Sequence, residues 1–438
     1  AVEAFQKENG LSADGVVGLD ESHVLIDDLA DLMNSAAGYL NPTAPNQITM
    51  TEHYGDTYPP YYSANDRAEV DQITDEYGGG IPRYAAIIAK FSRQVMERSG
   101  ARQVNIVGLS MGALIGRWMI EKDYEGLASG QKIARFITVE GVVCGNWPSS
   151  LGGPVFEFIN DEFDLEAIDL EHMSYDWIED NLNNPRTEMD NPLYGNIQVS
   201  HWASTDDNMN SQALTISAGE PNDGIQLVED TFFHEVTNQS KYFGQRPTLS
   251  HVHATHESVK DHMGIRAGLI ANLTSTRRVR VTLVNALVKD MPESGEGEVV
   301  FGARIISPRA QTLYGITAGI NQIGAIGHVT DPVEMDEDER VTLNQILFDD
   351  FILPGEQSLT VDFGVREIDF EPLVYGIFED PFGDDFESIP SNDVIVSTLN
   401  SGQYIHDNSD WNGTIQVEVI NYPGFLLQTA ADTWMEYR

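Results

Sequence analysis

The stretch from Gln103 to Arg117 constrains this chain more than any other. Val104, Ile106 and Val107 form a short apolar run, which predicts a buried strand. Gly108-Leu109-Ser110-Met111-Gly112 follows at once and fits G-x-S-x-G. Leu114, Ile115, Trp118 and Met119 then recur at helical spacing. Strand, sharp turn and helix, in that order, lift a serine hydroxyl above the edge of a sheet. Gly108 and Gly112 fall where close helix–strand packing leaves no room for a side chain. The Met111 N–H comes to lie at a helix N-terminus, where it can stabilise a developing oxyanion. Ser110 is the candidate nucleophile; the competing reading makes it a helix cap in a glycine-rich turn.

At 438 residues the chain exceeds one ordinary core, so two domains are expected. It carries 25 Lys+Arg against 69 Asp+Glu, a net charge of −44. The acids are spread along the chain, which argues against nucleic acid and anionic membranes as partners. Such a surface suits salty water, and ordinary acidity without that meaning fits equally. Cys144 is the single cysteine, so no intrachain disulfide can form. No apolar run approaches membrane-spanning length. The chain opens on Ala1 without a signal peptide, as a mature exported protein would, and a secreted location is the expectation.

Residues 1–45 read in two ways. Phe5-Gln6, Gly10-Leu11 and Asp14-Gly15-Val16-Val17-Gly18 resemble the second half of a peptidoglycan-binding module. Alternatively, Gly15–Leu19 is a short strand and turn whose Leu19 N–H supplies a second oxyanion donor, with a helix over 24–33 and a strand at 47–52. The loop 53–62 carries Tyr54, Tyr58, Tyr61 and Tyr62, which either line a pocket or pack the loop onto the body. Gly78-Gly79-Gly80 and Pro82 start a helix that Gly100 ends, with Ile87, Ile88, Phe91 and Val95 on its buried face. A strand is expected over 133–141. Residues 145–195 are rich in Gly, Pro, Asn and Asp and read as a cap or lid, or else as a rigid extra layer.

Strands at 196–202 and 213–219 come next, and the second runs into the turn Asn222-Asp223-Gly224. That puts Asp223 on a loop at a strand's end, with Asp206 and Asp207 as alternative acids. His251, His253, His256 and His262 then cluster between a strand and a helix. His256, on the loop, has the freedom to reach Ser110, whereas His262 lies along the helix. Clustered histidines also raise zinc, but no H-x-x-x-H pair on one helix and no cysteine beside them support it. Ser, Asp, His is the chain order of the α/β-hydrolase triad.

The segments 82–120 and 214–224 resemble bacterial secreted triacylglycerol lipases of the Pseudomonas and Burkholderia type. The resemblance rests on Val104–Gly112 and on the Asn222-Asp223-Gly224 turn. It departs at Leu109, Met111 and Ala113, where those lipases carry His, Gln and Gly. It implies an α/β-hydrolase fold, mostly a parallel sheet flanked by helices, over residues 1–275. It implies ester hydrolysis through an acyl-enzyme, with Ser110, Asp223 and His256 as triad and Met111 and Leu19 as oxyanion donors. The substrate would be an ester or lipid, at an interface or polymer surface, with no cofactor in the chemistry. Those lipases hold a structural calcium near the triad Asp, whose ligands do not map onto this sequence residue by residue. A polyester depolymerase, amidase or acyltransferase would fit the same scaffold, and a non-catalytic surface- or cell-wall-binding protein is the reading from a different class.

From Thr276 the pattern changes. Residues 278–284, 358–363 and 414–420 alternate with period two, which predicts a C-terminal β-sandwich over 276–438. It loosely resembles C2-like or lipase-accessory domains. Asp384, Asp385 and Asp393 mark an acidic loop region, solvated or calcium-binding. A charge of −44 repels itself across the surface, and salt screens that repulsion. The melting temperature should therefore rise from low salt to the ionic strength of seawater; a flat or falling series in a thermal-melt titration would contradict this.

Overall fold

The middle strands of the parallel sheet are buried along almost their whole length, as expected where a sheet is covered on both faces. In the computed structural model of the chain, the described residues are 48–50, 58, 61–151, 166–182, 191–204, 222–233, 248–289 (without 253, 257, 260, 261 and 276), 297–308, 333–368 (without 337 and 354), 387–389, 394–421 and 434–437. The strand β1 spans Ile48–Met50, and the helices α1 and α2 follow as Ala64–Tyr77 and Gly80–Ser99. Then come β2 (Val104–Leu109), α3 (Met111–Glu121) and β3 (Ile133–Val139). The short helices α4 (Trp147–Leu151), α5 (Ala167–Met173) and α6 (Tyr175–Asn181) precede β4 (Gln198–Ser204), β5 (Thr248–Val252) and α7 (Met263–Thr274). The expected strand at 213–219 and the whole of 1–45 lie outside the described residues.

Local chemistry accounts for the boundaries. Ser63 and Asp66 form a capping box: the Asp66 N–H donates to Ser63 Oγ, and the Ser63 N–H donates back to Asp66 Oδ2. The α1 helix ends at Gly78 and α2 at Gly100, both left-handed, as glycine allows without strain. The buried face of α2 includes Ile81, Tyr84, Ala85, Ile88, Ala89 and Val95, packed with Val104, Ile106, Leu114 and Phe136 in one core. Leu170, Met173, Ile178 and Leu182 join that core, so the described part of 145–195 is a packed layer. Tyr62 is buried against Val70, Ile73, Ala86 and Ile87, with Tyr58 and Tyr61 beside it; these three tyrosines pack the loop onto the body.

The second half is antiparallel. One sheet pairs β6 (Arg277–Val288), β9 (Arg340–Phe351), β13 (Gly402–Asp407) and β14 (Trp411–Asn421). The other pairs β7 (Gly297–Ile306), β8 (Val333–Met335), β10 (Ser358–Ile368), β11 (Glu387–Ile389) and β12 (Val394–Ser397). Val281, Leu283, Phe348 and Ile415 from the first sheet share one apolar cluster with Phe301, Ile305, Val361 and Val396 from the second. The final strand, β15 (Trp434–Tyr437), does not stay with them. It returns to the parallel sheet, whose order is β1-β15-β2-β3-β4-β5, and pairs in parallel with both β1 and β2. The sequence groups these last residues with the C-terminal unit over 276–438, whereas their backbone pairing lies with the first half.

One charged cluster ties α1 to α2. Lys90 is 1% exposed and donates to Asp66 at 3.2 Å, Glu69 at 2.6 Å and Glu125 at 2.7 Å. Arg93 donates to Asp66 at 3.0 Å and to Glu125 at 2.6 Å. Burial alone would raise the Asp66 pKa; hydrogen bonds from Ser63, Arg93 and Lys90 hold it well below the usual carboxylate range. Removing Lys90 strands buried carboxylates, so Lys90→Met should cost about 3 kcal/mol, read as a lower urea midpoint with an unchanged slope.

Candidate active site

Ser110 stands between β2 and α3 with φ 50° and ψ −123°, a left-handed φ that a serine adopts only under constraint. The constraint is contact. A Cβ at Gly108 would lie 2.7 Å from the Ala113 N and the Gly112 O, so only glycine fits there. The Ser110 N–H donates to the Val139 O at 3.0 Å, and the Val142 N–H donates to the Ser110 O at 3.1 Å, which fastens the turn to the end of β3. Every residue of α3 from Met111 to Ile120 is buried. Arg117 is wholly buried; it pairs with Glu121 at 2.8 Å and donates to the Val143 O at 2.7 Å, holding the loop after β3 against the helix. Ser110 itself is part-exposed.

Three of the sequence-predicted residues come together. His256 Nε2 lies 3.0 Å from Ser110 Oγ, and His256 Nδ1 lies 2.8 Å from Asp223 Oδ2. The Asp223 turn is fixed from within. Its Oδ1 accepts the N–H groups of Ile225 at 2.9 Å and Gln226 at 2.7 Å, and its carbonyl accepts the His256 N–H at 3.0 Å. With a carboxylate at Nδ1, the neutral imidazole keeps its proton there and leaves Nε2 to accept from the serine. His262 caps the preceding turn through its N–H to the Val259 O, and His251 lies in β5 opposite Ala203. Met111 is the first residue of α3, where the helix's own carbonyls do not reach its N–H. Leu19, Asp206, Asp207, His253, Asp384, Asp385 and Asp393 lie outside the described residues.

Sequence reasoning missed Glu140. It follows β3 directly, is fully buried, and has φ 48°. Its Oε2 lies 3.3 Å from His256 Nδ1, and its Oε1 is hydrogen-bonded to Ser204 Oγ at the end of β4. Burial and the neighbouring Asp223 push its pKa well above the usual carboxylate range. The only signal in the sequence is a charged residue set between a largely apolar strand and Gly141.

Among the described residues, two clusters bring three metal-ligating groups together: Glu140, Asp223 and His256, and Asp66, Glu69 and Glu125. The second is already occupied by Lys90 and Arg93. A cation in the first would take the His256 nitrogen that faces Asp223.

No family model and no curated protein matches this chain. Among solved structures, it is similar to the mature Bacillus licheniformis lipase BlEst2 at 14% identity and TM-score 0.31, over 41% of this chain and 69% of that one. It is similar to the metagenomic carboxyl esterase MGS0156 at 13% identity and TM-score 0.31, over 52% and 79%. It is similar to the Legionella pneumophila phospholipase PlaB, solved with thio-NAD, at 8% identity and TM-score 0.33, over 89% and 92%.

One strand over, His201 in β4 is fully buried. His201 Nδ1 lies 2.6 Å from Thr138 Oγ1, and its Nε2 accepts the Phe233 N–H at 3.2 Å. Burial pushes its pKa down to about 3. The unfolded chain therefore takes a proton in acid that the folded chain refuses. Its stabilising contribution is present above about pH 6.5 and is lost as pH falls toward the folded value. The advantage of the parent over His201→Gln, read as urea midpoints across a pH series, should be largest above pH 6.5 and shrink toward about pH 3.

Proposed function

We propose that this chain is a serine carboxylic-ester hydrolase of the lipase/esterase type that works through an acyl-enzyme. One observation carries the reading: an unbroken chain of contacts from a part-exposed, conformationally constrained serine through an imidazole to a buried carboxylate. Each link matches what the reaction requires. Ser110 Oγ attacks the ester carbonyl while His256 Nε2 removes its proton. The imidazolium that forms is stabilised by Asp223 across the 2.8 Å contact, and Asp223 also fixes which ring nitrogen carries the resting proton. The tetrahedral oxyanion takes the Met111 N–H, with the Leu19 N–H as second donor; each donor is worth about 3 kcal/mol of barrier. His256 then gives its proton to the leaving alcohol. Water, activated by the same imidazole, releases the acid and restores Ser110.

The substrates are esters or lipids, presented at an interface or a polymer surface, and the protein acts outside the cell. We read residues 276–438 as a C-terminal β-sandwich accessory unit to the catalytic half, with β15 returned to the parallel sheet. No helix among the described residues is long and apolar enough to cross a membrane. A polyester depolymerase or an acyltransferase would use the same three groups, and an acyl-chain and polymer panel separates them.

Ser110→Ala should lower p-nitrophenyl ester hydrolysis by about 10⁴-fold or more and abolish labelling by a fluorophosphonate probe. A folded Ser110→Ala variant that still hydrolyses or labels would refute the assignment. A parent chain that does neither would leave the binding-protein reading.

A further inference from the structure

Two carboxyl groups, not one, face the same imidazole nitrogen. Asp223 Oδ2 is 2.8 Å and Glu140 Oε2 is 3.3 Å from His256 Nδ1. That nitrogen has one proton to give, and Asp223 receives it. Glu140 Oε2 is buried without a hydrogen-bond partner. The other Glu140 oxygen is bonded to Ser204 Oγ, which also lies 3.5 Å from Asp223 Oδ2. Ser204 thus bridges the two acids. Both are essentially excluded from solvent, at 0% and 1% exposed. Among the described residues the only ion-pair partner of either is His256; no Lys or Arg is paired with them. The titratable groups facing Glu140 are therefore Asp223 from the turn after β4 and His256 from the loop after β5.

Two full negative charges in this space, without a cation, are strongly disfavoured. A single proton resolves the conflict and gives every group a partner. We propose that Glu140 and Asp223 form a coupled carboxyl pair holding one proton, in which Glu140 is the protonated member and a positioning residue for His256. Its O–H donates to Ser204 Oγ, Ser204 O–H donates to Asp223 Oδ2, and Asp223 alone faces the imidazole as an anion. This rests on the ester-hydrolase reading and extends it. The direction of the Glu140 pKa, raised by burial and then by Asp223, agrees with the geometry. A consequence follows from the coupling. Removing the Asp223 charge lifts the second of the two causes and, burial notwithstanding, leaves the Nδ1 proton without an acceptor beside Glu140 Oε2 at 3.3 Å. Glu140 then ionises and accepts the Nδ1 proton itself, so the site has a reserve acid.

The test has a spectroscopic arm and a kinetic arm. At pH 8, where exposed carboxyls are ionised, the infrared spectrum of the parent should contain a carboxylic-acid carbonyl band. That band should vanish in Glu140→Gln. It should also vanish in Asp223→Asn, which serves if the first variant does not fold. In ester hydrolysis, Glu140→Gln should lower kcat/KM by about threefold in the parent but by about a hundredfold in the Asp223→Asn background. Asp223→Asn alone should stay well above Ser110→Ala. The pair is overturned if the parent has no acid band, if the band survives both substitutions, if Asp223→Asn falls to the Ser110→Ala level, or if the two substitutions simply add. If the parent shows neither hydrolysis nor fluorophosphonate labelling, the hydrolase reading fails, and the infrared arm still decides the shared proton.

Discussion

The contact on which the rest depends is the one between the last glycine-bearing turn of β2 and the first turn of α3. The absent side chain at Gly108 lets the backbone of Gly112 and Ala113 come within a distance no Cβ would tolerate. That approach forces the chain to reverse within one residue, and Ser110 takes the strained conformation. The strain is held by packing on every side, since α3 is buried along nearly its whole length. A Cβ at Gly141 would likewise meet the Ala113 Cβ at 2.5 Å, so the loop after β3 presses on the same helix turn. Hydroxyl exposure is thus a product of steric exclusion in the core beneath it.

Charge is organised with the same economy. Cations are scarce in a chain with 25 of them against 69 acids. Yet Lys90, Arg117, Arg135 and Arg278 are each 0–1% exposed. They are spent inside, as cross-links. Lys90 joins α1 to α2, Arg117 joins α3 to the loop after β3, and Arg135 reaches from β3 to the Ser275 O and stacks over Phe351. Arg278 pairs with Asp349 between β6 and β9. Arg135 also links the parallel sheet to the antiparallel half, together with Asn272, whose amide donates to Asp350. Each of these four buried cations thus sits where it joins two parts of the fold.

What was legible in the sequence was what is local. Val104–Gly112 specifies strand, turn and helix within one short stretch, so Ser110 could be picked out by position alone. Asn222-Asp223-Gly224 announces its turn, and a histidine on a loop after a strand has few places to go. The Ser63–Asp66 capping box is equally local, yet the helix it starts, α1, was not read from the sequence. Glu140 was not legible, because its meaning comes from a neighbouring strand. Nothing within five residues of it says that Asp223, far along the chain, will lie close to it. The return of β15 was hidden for a related reason: a four-residue strand pairs with partners that sequence proximity does not indicate.

The topology explains why these particular residues meet. The strands β2, β3, β4 and β5 are adjacent and parallel, so their carboxyl ends lie along one edge. Ser110 follows β2, Glu140 follows β3, Ser204 ends β4, and His256 lies beyond β5. At about 4.8 Å per strand, the ends of β2 and β5 are about 14 Å apart, too far for a serine and a histidine to touch directly. The loop after β5 must therefore fold back across the ends of β4 and β3. In doing so it passes over Ser204 and Glu140, and it is tied down on the way by the His256 N–H to the Asp223 O. Asp223 pairs with the imidazole on this route, and the strand ends beneath it carry the buried polar groups Glu140 and Ser204. The carboxyl of Glu140 and the hydroxyl of Ser204 supply the polar floor on which His256 is carried back to Ser110.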